Sequence, residues 1–148
     1  DLLELHGKLV VLASKDRMLT VLDPETGSLV GTIAAPASVS SADVQPGTID
    51  SKIEGMAWSE VHEVLFISEL RKGIIKGYDT SDLDVLFDPS LGWGYLGSAG
   101  WFGTGADELG APQAMVAAPE ADVLVLADIG NLWVNGYDLV TTIETLAP

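Results

Sequence analysis

Hydrophobic residues along this chain fall in short runs of about five to eight, and Gly, Pro, Asp and Ser separate the runs. Runs of this length between turn-forming residues are typical of β-strands. The 3.6-residue period of an amphipathic helix is not evident in them. The pattern therefore predicts an all-β chain.

A longer repeat organises these runs. Three segments share one plan: an apolar strand, a short polar turn, a second strand and a closing aspartate. A further strand is predicted after each segment, and one more precedes the second and third. Four strands per unit is the plan of a β-propeller blade, whose first strand lines the central channel. The segments are residues 9–23, 64–79 and 123–138; the following strands are 28–34, 83–87 and 141–146, and the preceding ones are 52–58 and 111–117.

The repeat predicts a single half-propeller domain, residues 1–148, with three four-stranded antiparallel blades. Blade 1 has a truncated inner strand, because the sequence before it has no counterpart of residues 52–56. The predicted boundaries are blade 1 at 1–35, a linker at 36–51, blade 2 at 52–89, a Gly/aromatic connector at 90–110 and blade 3 at 111–148.

Two stretches resemble known propeller families. The Gly-rich stretch 95–105, followed by Pro112 and by Ala-Asp-Ile-Gly-Asn at 127–131, resembles an NHL repeat. Glu54-Gly-Met-Ala-Trp58 is similar to the opening blade of the gluconolactonase (SMP-30-like) family. That resemblance implies a six-bladed propeller in which Glu54 is a metal ligand. The chain departs from these patterns at Gln113 and at Met56.

Three blades cannot close a ring, because closed propellers have about four to eight. Either two copies pair around a two-fold axis, or the chain is half of a longer or two-chain propeller. Closed symmetry is the usual state of soluble oligomers. We therefore predict a homodimer, with a complementary half-propeller as the alternative partner.

Propeller topology predicts that Glu54, Glu69 and Asp128 lie near one mouth of the channel. Converging carboxylates suit Ca²⁺ or another hard cation, which prefers oxygen ligands. Alternatively, Asp128 caps its own turn and Glu69 is solvated beside Arg71 and Lys72.

Aromatic residues in the connector are candidate ligand contacts. Trp93, Tyr95 and Trp101, together with Gln113, are predicted to face a sugar or another ligand near the channel. The alternative is that the aromatic side chains fill the space between blades or contact a partner subunit.

Other recurring polar residues are predicted to be structural. Asp23, Asp79 and Asp138 each open a turn, where Asp commonly accepts a bond from the backbone two residues on. Both His6 and His62 are expected in solvated turns.

Composition excludes several classes of function. Seven Lys and Arg against 22 Asp and Glu give a net charge of −15, which argues against nucleic acid as a partner. The chain has no cysteine, hence no disulfide or thiolate chemistry. No apolar run is long enough to span a bilayer, so we expect no membrane partner and a soluble protein, either cytoplasmic or secreted and periplasmic.

Two functions stay open at this point. The first is a module that binds a small molecule or a protein at the channel mouth. The second is a metal-dependent lactonase or related hydrolase of the gluconolactonase type, with Glu54 helping to hold a calcium-type ion. Whether the protein is an enzyme is not decided by its sequence.

Overall fold

The computed structural model describes residues 1–13, 17–34, 47–100, 102–105 and 108–146. Its strands form three separate antiparallel sheets of four, four and three strands, and neighbouring strands follow one another along the chain. This architecture confirms the predicted all-β class, with sheets that correspond to propeller blades. Blade 1 contains β1 (Leu2–Leu5), β2 (Lys8–Ala13), β3 (Met18–Leu22) and β4 (Leu29–Ile33). Blade 2 contains β5 (Ile53–Ser59), β6 (Val64–Glu69), β7 (Ile74–Asp79) and β8 (Tyr95–Ala99). Blade 3 contains β9 (Pro112–Ala118), β10 (Val123–Asp128) and β11 (Trp133–Asp138).

The inner strand of blade 1 is short, as predicted. It has four residues, whereas the inner strands β5 and β9 have seven each. The pairing of Leu5 with Lys8 corresponds to that of Ser59 with Val64, so β1 matches only the last four residues of a full inner strand.

Two predicted strands are helices instead. Residues 83–87 contain α1 (Leu83–Leu86), and most of 141–146 lies in α2 (Leu139–Thr145). Asp82 caps α1 by accepting the Asp84 N–H at 2.9 Å, and Asp138 caps α2 by accepting the Thr141 N–H at 2.7 Å. These caps favour a helix, and the short apolar pattern does not distinguish the two states. The fourth strand of blade 2 is β8, inside the predicted connector.

Burial shows how the blades are arranged. Every residue of β6 is buried, whereas β3 and β10 alternate between buried and half-buried positions. Blade 2 therefore packs on both faces, and blades 1 and 3 each pack on one. One apolar cluster lies between blades 1 and 2 and includes Val10, Leu19, Ile67 and Tyr78. A second lies between blades 2 and 3 and includes Phe66, Ile75, Leu124 and Leu126.

The inner strands of blades 2 and 3 approach closely at Gly55. A Cβ atom at this position would overlap the main-chain carbonyl of Gln113 in β9. Gly55 does not have a positive φ, so the requirement for glycine comes from the neighbouring strand. The contact sets how near the two blades can lie at the channel.

We expect Gly55→Ala to destabilise the fold by about 1–3 kcal/mol, the usual cost of forcing extra atoms into a packed site. Urea denaturation measures the change. Gly27→Ala is the control, because it has positive φ but open space and should cost about 1 kcal/mol. Equal losses in the two variants would contradict the close approach.

Candidate functional site

The predicted metal-binding residues lie at one end of the blades, which we call the entry end. Here the inner strands β5 and β9 begin, and the turns β6–β7 and β10–β11 close. Glu54 stands near the start of β5, while Glu69 and Asp128 end β6 and β10. Sequence reasoning thus placed the three residues at the correct end of their sheets.

Asp128 binds main-chain amides with both carboxylate oxygens. Its oxygens accept the N–H groups of Gly110 and Ala111 at 2.8 and 2.7 Å, from the segment that leads into β9. It also accepts the N–H groups of Gly130 and Asn131 in its own turn. Burial disfavours the charged form, but these donors outweigh it and lower the pKa of Asp128 below its ordinary value.

Glu69 has the equivalent role in blade 2. One oxygen accepts the N–H groups of Asp50 and Ser51, at 3.2 and 2.9 Å, and the Ser51 hydroxyl. The other oxygen pairs with Lys76, whose ammonium also donates to the Thr48 carbonyl. Glu69 is fully buried, so the expectation that it is solvated beside Arg71 and Lys72 is wrong. Its charge is balanced within the fold.

These two carboxylates therefore share a structural task. Each ends the second strand of its blade and holds two consecutive amides of the segment entering the inner strand. In blade 1 the strand pairing places Ala13 at this position, opposite Met18 as Glu69 lies opposite Ile74. Ser14, which the sequence repeat aligns with the two carboxylates, lies outside the described residues. The predicted turn cap at Asp128 is confirmed, and its additional bonds to the entry segment explain why an acidic residue recurs here.

Glu54, whose side chain is mostly covered, pairs with the half-exposed Lys52 at the entry end. In the part of the chain that the structure describes, no three His, Cys, Asp or Glu side chains come together as metal ligands. The calcium site and the hydrolase activity that depends on it stay predictions.

Two of the predicted ligand-binding aromatics pack inside the protein. Trp93 is 5% exposed and belongs to the cluster between blades 1 and 2. The Tyr95 ring lies 5.7 Å from the Tyr78 ring and 5.9 Å from the Lys76 ammonium. The main-chain carbonyl of Gln113 accepts a hydrogen bond from the Ser68 hydroxyl at 3.3 Å. Trp101 lies outside the described residues.

The two histidines connect neighbouring blades; both lie in turns, as expected, and His6 is exposed whereas His62 is half-buried. The His6 ring contacts the Thr80 carbonyl at 3.0 Å and stacks edge-on against Trp58. His62 pairs with Asp122 at 2.7 Å. Each lies in the turn that follows an inner strand. That turn meets the next blade, and the propeller plan could have indicated this contact.

The repeated aspartates are structural, as predicted: Asp23 and Asp79 open turns, whereas Asp138 caps helix α2. Asp23 accepts the N–H groups of Glu25 and Thr26, and Asp79 accepts the N–H of Ser81. The Thr26 N–H, the Thr26 hydroxyl and Lys8 lower the pKa of Asp23 to about 2.

Charge is divided between the two ends of the blades. Among the described basic residues, Arg17, Lys52, Arg71, Lys72 and Lys76 lie at or near the entry end, and Lys8 lies at the opposite end. The opposite end, where the inner strands finish, carries most of the described acids: Asp23, Glu25, Glu60, Glu63, Asp79, Asp82, Asp84, Glu120, Asp122 and Asp138. The entry end is therefore far less acidic than the whole chain. Grouping the charged residues by the end of the blade at which their turn is predicted would have revealed this difference in charge from the sequence.

Comparison with solved structures supports the propeller-like fold. Sqt1 of Saccharomyces cerevisiae, a WD40 propeller protein, matches 92% of this chain with a TM-score of 0.59 and 18% identity. Hydrazine synthase of Kuenenia stuttgartiensis matches 92% with a TM-score of 0.59 and 13% identity. A protein of Bacteroides fragilis NCTC 9343 matches 94% with a TM-score of 0.62 and 14% identity.

These matches cover 29%, 30% and 34% of the longer proteins, respectively, so the chain spans about a third of their length. No family model matches the chain, and no curated protein matches it. The resemblance to NHL and gluconolactonase-type propellers is therefore not confirmed at the family level. Among the described residues, no helix is both long and apolar enough to cross a membrane.

We expect Lys76→Met to destabilise the fold by about 3–5 kcal/mol, because it leaves the buried Glu69 carboxylate without its counter-charge. Lys72→Met is the control, since Lys72 pairs with Asp50 at an exposed position and its loss should cost less than about 1 kcal/mol. Urea denaturation compares the two variants. Similar midpoints would show that the buried pair is not a main source of stability.

We expect Asp128→Asn to cost about 1.5–3 kcal/mol at pH 7, because an amide NH₂ group then faces backbone donors. The lowered pKa of Asp128 means that its contribution is complete above its unfolded pKa of about 4 and is lost as pH falls through the folded value. The difference in free energy of unfolding between Asp128→Asn and wild type should therefore become smaller below about pH 4.

Denaturation at a series of pH values tests this dependence. Asp138→Asn is the control, because Asp138 caps a helix at an exposed position where Asn caps about as well as Asp, so the free energy of unfolding should change little. If the loss in free energy of unfolding caused by Asp128→Asn stays constant down to acid pH, the charge of Asp128 does not stabilise the fold.

Proposed function

We propose that this chain is a propeller binding module that completes a ring with further blades and takes its ligand at the entry end. One observation carries the proposal: blade 2 is buried on both faces, while blades 1 and 3 each keep an apolar face open. The ring would be six-bladed if the further blades come from a second copy.

The open face of blade 3 is almost entirely aliphatic. Leu124 and Leu126 point toward blade 2 and are fully buried, so the alternate positions of β10 face outward. Val116 lies opposite Val125 and is 56% exposed. An aliphatic sheet face of this kind is costly to leave in water and is typical of an interaction surface. The outward residues of the three strands are Ala114, Val116, Ala118, Val123, Val125, Ala127, Val134, Gly136 and, at the end of β11, Asp138.

Blade 1 also has an open apolar face, on the side that points away from blade 2. Val10, Leu19 and Val21 point toward blade 2, so Leu9, Val11 and Leu22 face outward and are only half-buried. Leu2, at the edge of this face, is 62% exposed. This is the face that, in blades 2 and 3, packs against the preceding blade.

The internal packing favours a second copy as the partner. Blade 2 uses one face for blade 1 and the other for blade 3. Each blade thus has a trailing face, toward the preceding blade, and a leading face, toward the next blade. The open faces are the trailing face of blade 1 and the leading face of blade 3. A two-fold axis would pack the trailing face of blade 1 in each copy against the leading face of blade 3 in the other copy, which closes the ring with two copies alone.

The entry end is the end at which we place the ligand. Lys52 and Lys72 are about half exposed there, with side-chain exposures of 49% and 47%, and each is paired with a neighbouring carboxylate. Their carboxylate partners are more covered, with exposures of 14% for Glu54 and 26% for Asp50, so a ligand would meet the lysine ammonium groups first. In a ring, both entry ends would face the same side.

We expect light scattering to give the mass of a dimer, and Val116→Asp to shift it to a monomer. A buried unpaired carboxylate on the face should weaken association by at least about 100-fold. Two acidic ends share one side of the ring, so dimerisation should strengthen as salt rises from about 0.05 to 0.5 M.

Val61→Asp is the matched control, since this valine is 69% exposed but lies in the β5–β6 turn away from either face. It should leave the mass unchanged. A wild-type monomer at tens of micromolar, or equal loss of mass in both variants, would overturn the pairing.

A further inference from the structure

Basic residues gather at the entry end where blades 1 and 2 meet, a place that we call the basic junction. The chain has only seven Lys and Arg, and five of the six described ones belong to this junction. Its cations are Arg17, Lys52, Arg71, Lys72 and Lys76, and its described carboxylates are Asp50, Glu54 and Glu69. Five cations against three carboxylates leave an excess of two positive charges, in a chain whose net charge is −15.

Three of these cations are neutralised within the junction. The pairs are Lys52 with Glu54, Lys72 with Asp50, and Lys76 with Glu69. In the part of the chain that the structure describes, neither arginine lies within ion-pair distance of a carboxylate. The excess charge therefore resides on the guanidinium groups of Arg17 and Arg71.

Asp50 brings cations from the two blades together. Its main-chain carbonyl accepts a hydrogen bond from Nη1 of Arg17 at 3.1 Å, and its carboxylate pairs with the ammonium group of Lys72. Burial and the nearby charge of Lys76 lower the pKa of Lys72. Arg71 precedes Lys72 in the same turn and is exposed. Positive charge is thus concentrated at this point, which favours binding of an anion.

The equivalent junction between blades 2 and 3 is built without cations. The strand pairing aligns the two junctions, because Glu69 and Asp128 occupy the same position in their sheets. Arg17, directly before β3, corresponds to Gly73, directly before β7. A Cβ atom at Gly73 would lie 2.3 Å from the Leu109 carbonyl oxygen, so this junction has no room for a side chain there. The residues at the positions of the five cations are Gly73, Ala111, Gly130, Asn131 and Asn135.

This comparison separates structural from surplus charge. Lys76 is needed in the basic junction because it balances the buried Glu69 carboxylate. The unpaired Arg17 and Arg71 balance no carboxylate, and glycine occupies both of their positions in the other junction. A junction of this fold can therefore form without the two arginines, which makes them candidates for binding a ligand.

We propose that the basic junction binds a phosphate group, free or as part of an organic molecule, through Arg17, with Lys72 and Arg71 as further donors. Guanidinium groups suit this ligand because their planar N–H donors bind phosphate oxygens in pairs. A phosphate group carries a charge of about −1.5 to −2 near pH 7, which matches the excess charge of the junction better than a carboxylate does. The site rests on the proposed function only in using the entry end for the ligand. It lies within one chain and does not need the ring.

NMR titration of the ¹⁵N-labelled full chain with inorganic phosphate, at constant ionic strength, tests the site. We expect saturable shifts of the Arg17 Nε–H signal and of the Asp50 amide signal. Acetate should bind at least about tenfold more weakly, because it carries a single charge. Glycerol phosphate is titrated in the same way, and the tighter of the two phosphates shows whether the group is bound free or as part of an organic molecule.

Two variants locate the binding. Arg17→Gln should weaken phosphate binding by about tenfold or more, since it removes a charge-assisted paired contact. Lys8→Gln is the matched control, because it also removes one positive charge but at the opposite end, and it should change the affinity by less than about twofold. The titrations use both wild type and Val116→Asp, so that loss of ring pairing does not affect the outcome.

Three results would overturn the proposal. The first is no saturable shift with either phosphate up to about 50 mM. The second is binding of acetate as tight as that of phosphate, and the third is an equal loss of affinity in Arg17→Gln and Lys8→Gln. None of these results concerns the mass of the assembly. A wild-type monomer that binds phosphate would overturn the ring and retain this site.

Discussion

A β-sheet has two faces, and this fold depends on covering both of them. Blade 2 achieves this because blades 1 and 3 pack against its opposite sides, which leaves every residue of β6 buried. The result is two apolar clusters, each shared by two blades. Stability in such an array comes from contacts between neighbouring blades. Blades 1 and 3 therefore each keep one apolar face that no neighbouring blade covers, whereas both faces of blade 2 are covered.

Buried carboxylates fix the inner strand of blades 2 and 3 relative to the rest of each blade. Glu69 and Asp128 do so by binding consecutive amides of the entry segments. Carboxylates suit this task because they accept several bonds at once and hold charge against backbone donors. Glu69 is fully buried and needs Lys76, whereas Asp128 relies on four amides and on Asn131. Two different solutions thus serve one architectural position.

The sequence predicted the strands that repeat and misjudged the segments that vary. The second and third strands of each blade are apolar runs with a closing aspartate, so their placement is right. The strand predicted at 83–87 is wrong because Asp82 caps a helix there, and a four-residue apolar pattern fits both states. The real fourth strand, β8, was hidden by glycines that were assigned to a connector. Gly97 has φ of 147°, so the strand itself requires one of those glycines.

The candidate site shows the same limit in chemical terms. Sequence alone places Glu69 and Asp128 at one end, but their bonding depends on amides 17 to 19 residues earlier in the chain. Likewise, the net charge of −15 gives no hint that basic residues collect at the entry end, because neighbours in space come from turns of different blades. The repeat is what relates those turns. A residue's role in this protein therefore follows from its position within the blade. Considered as part of a loop, Trp93 was a candidate either for ligand contact or for filling the space between blades, and it lies in the core between blades 1 and 2.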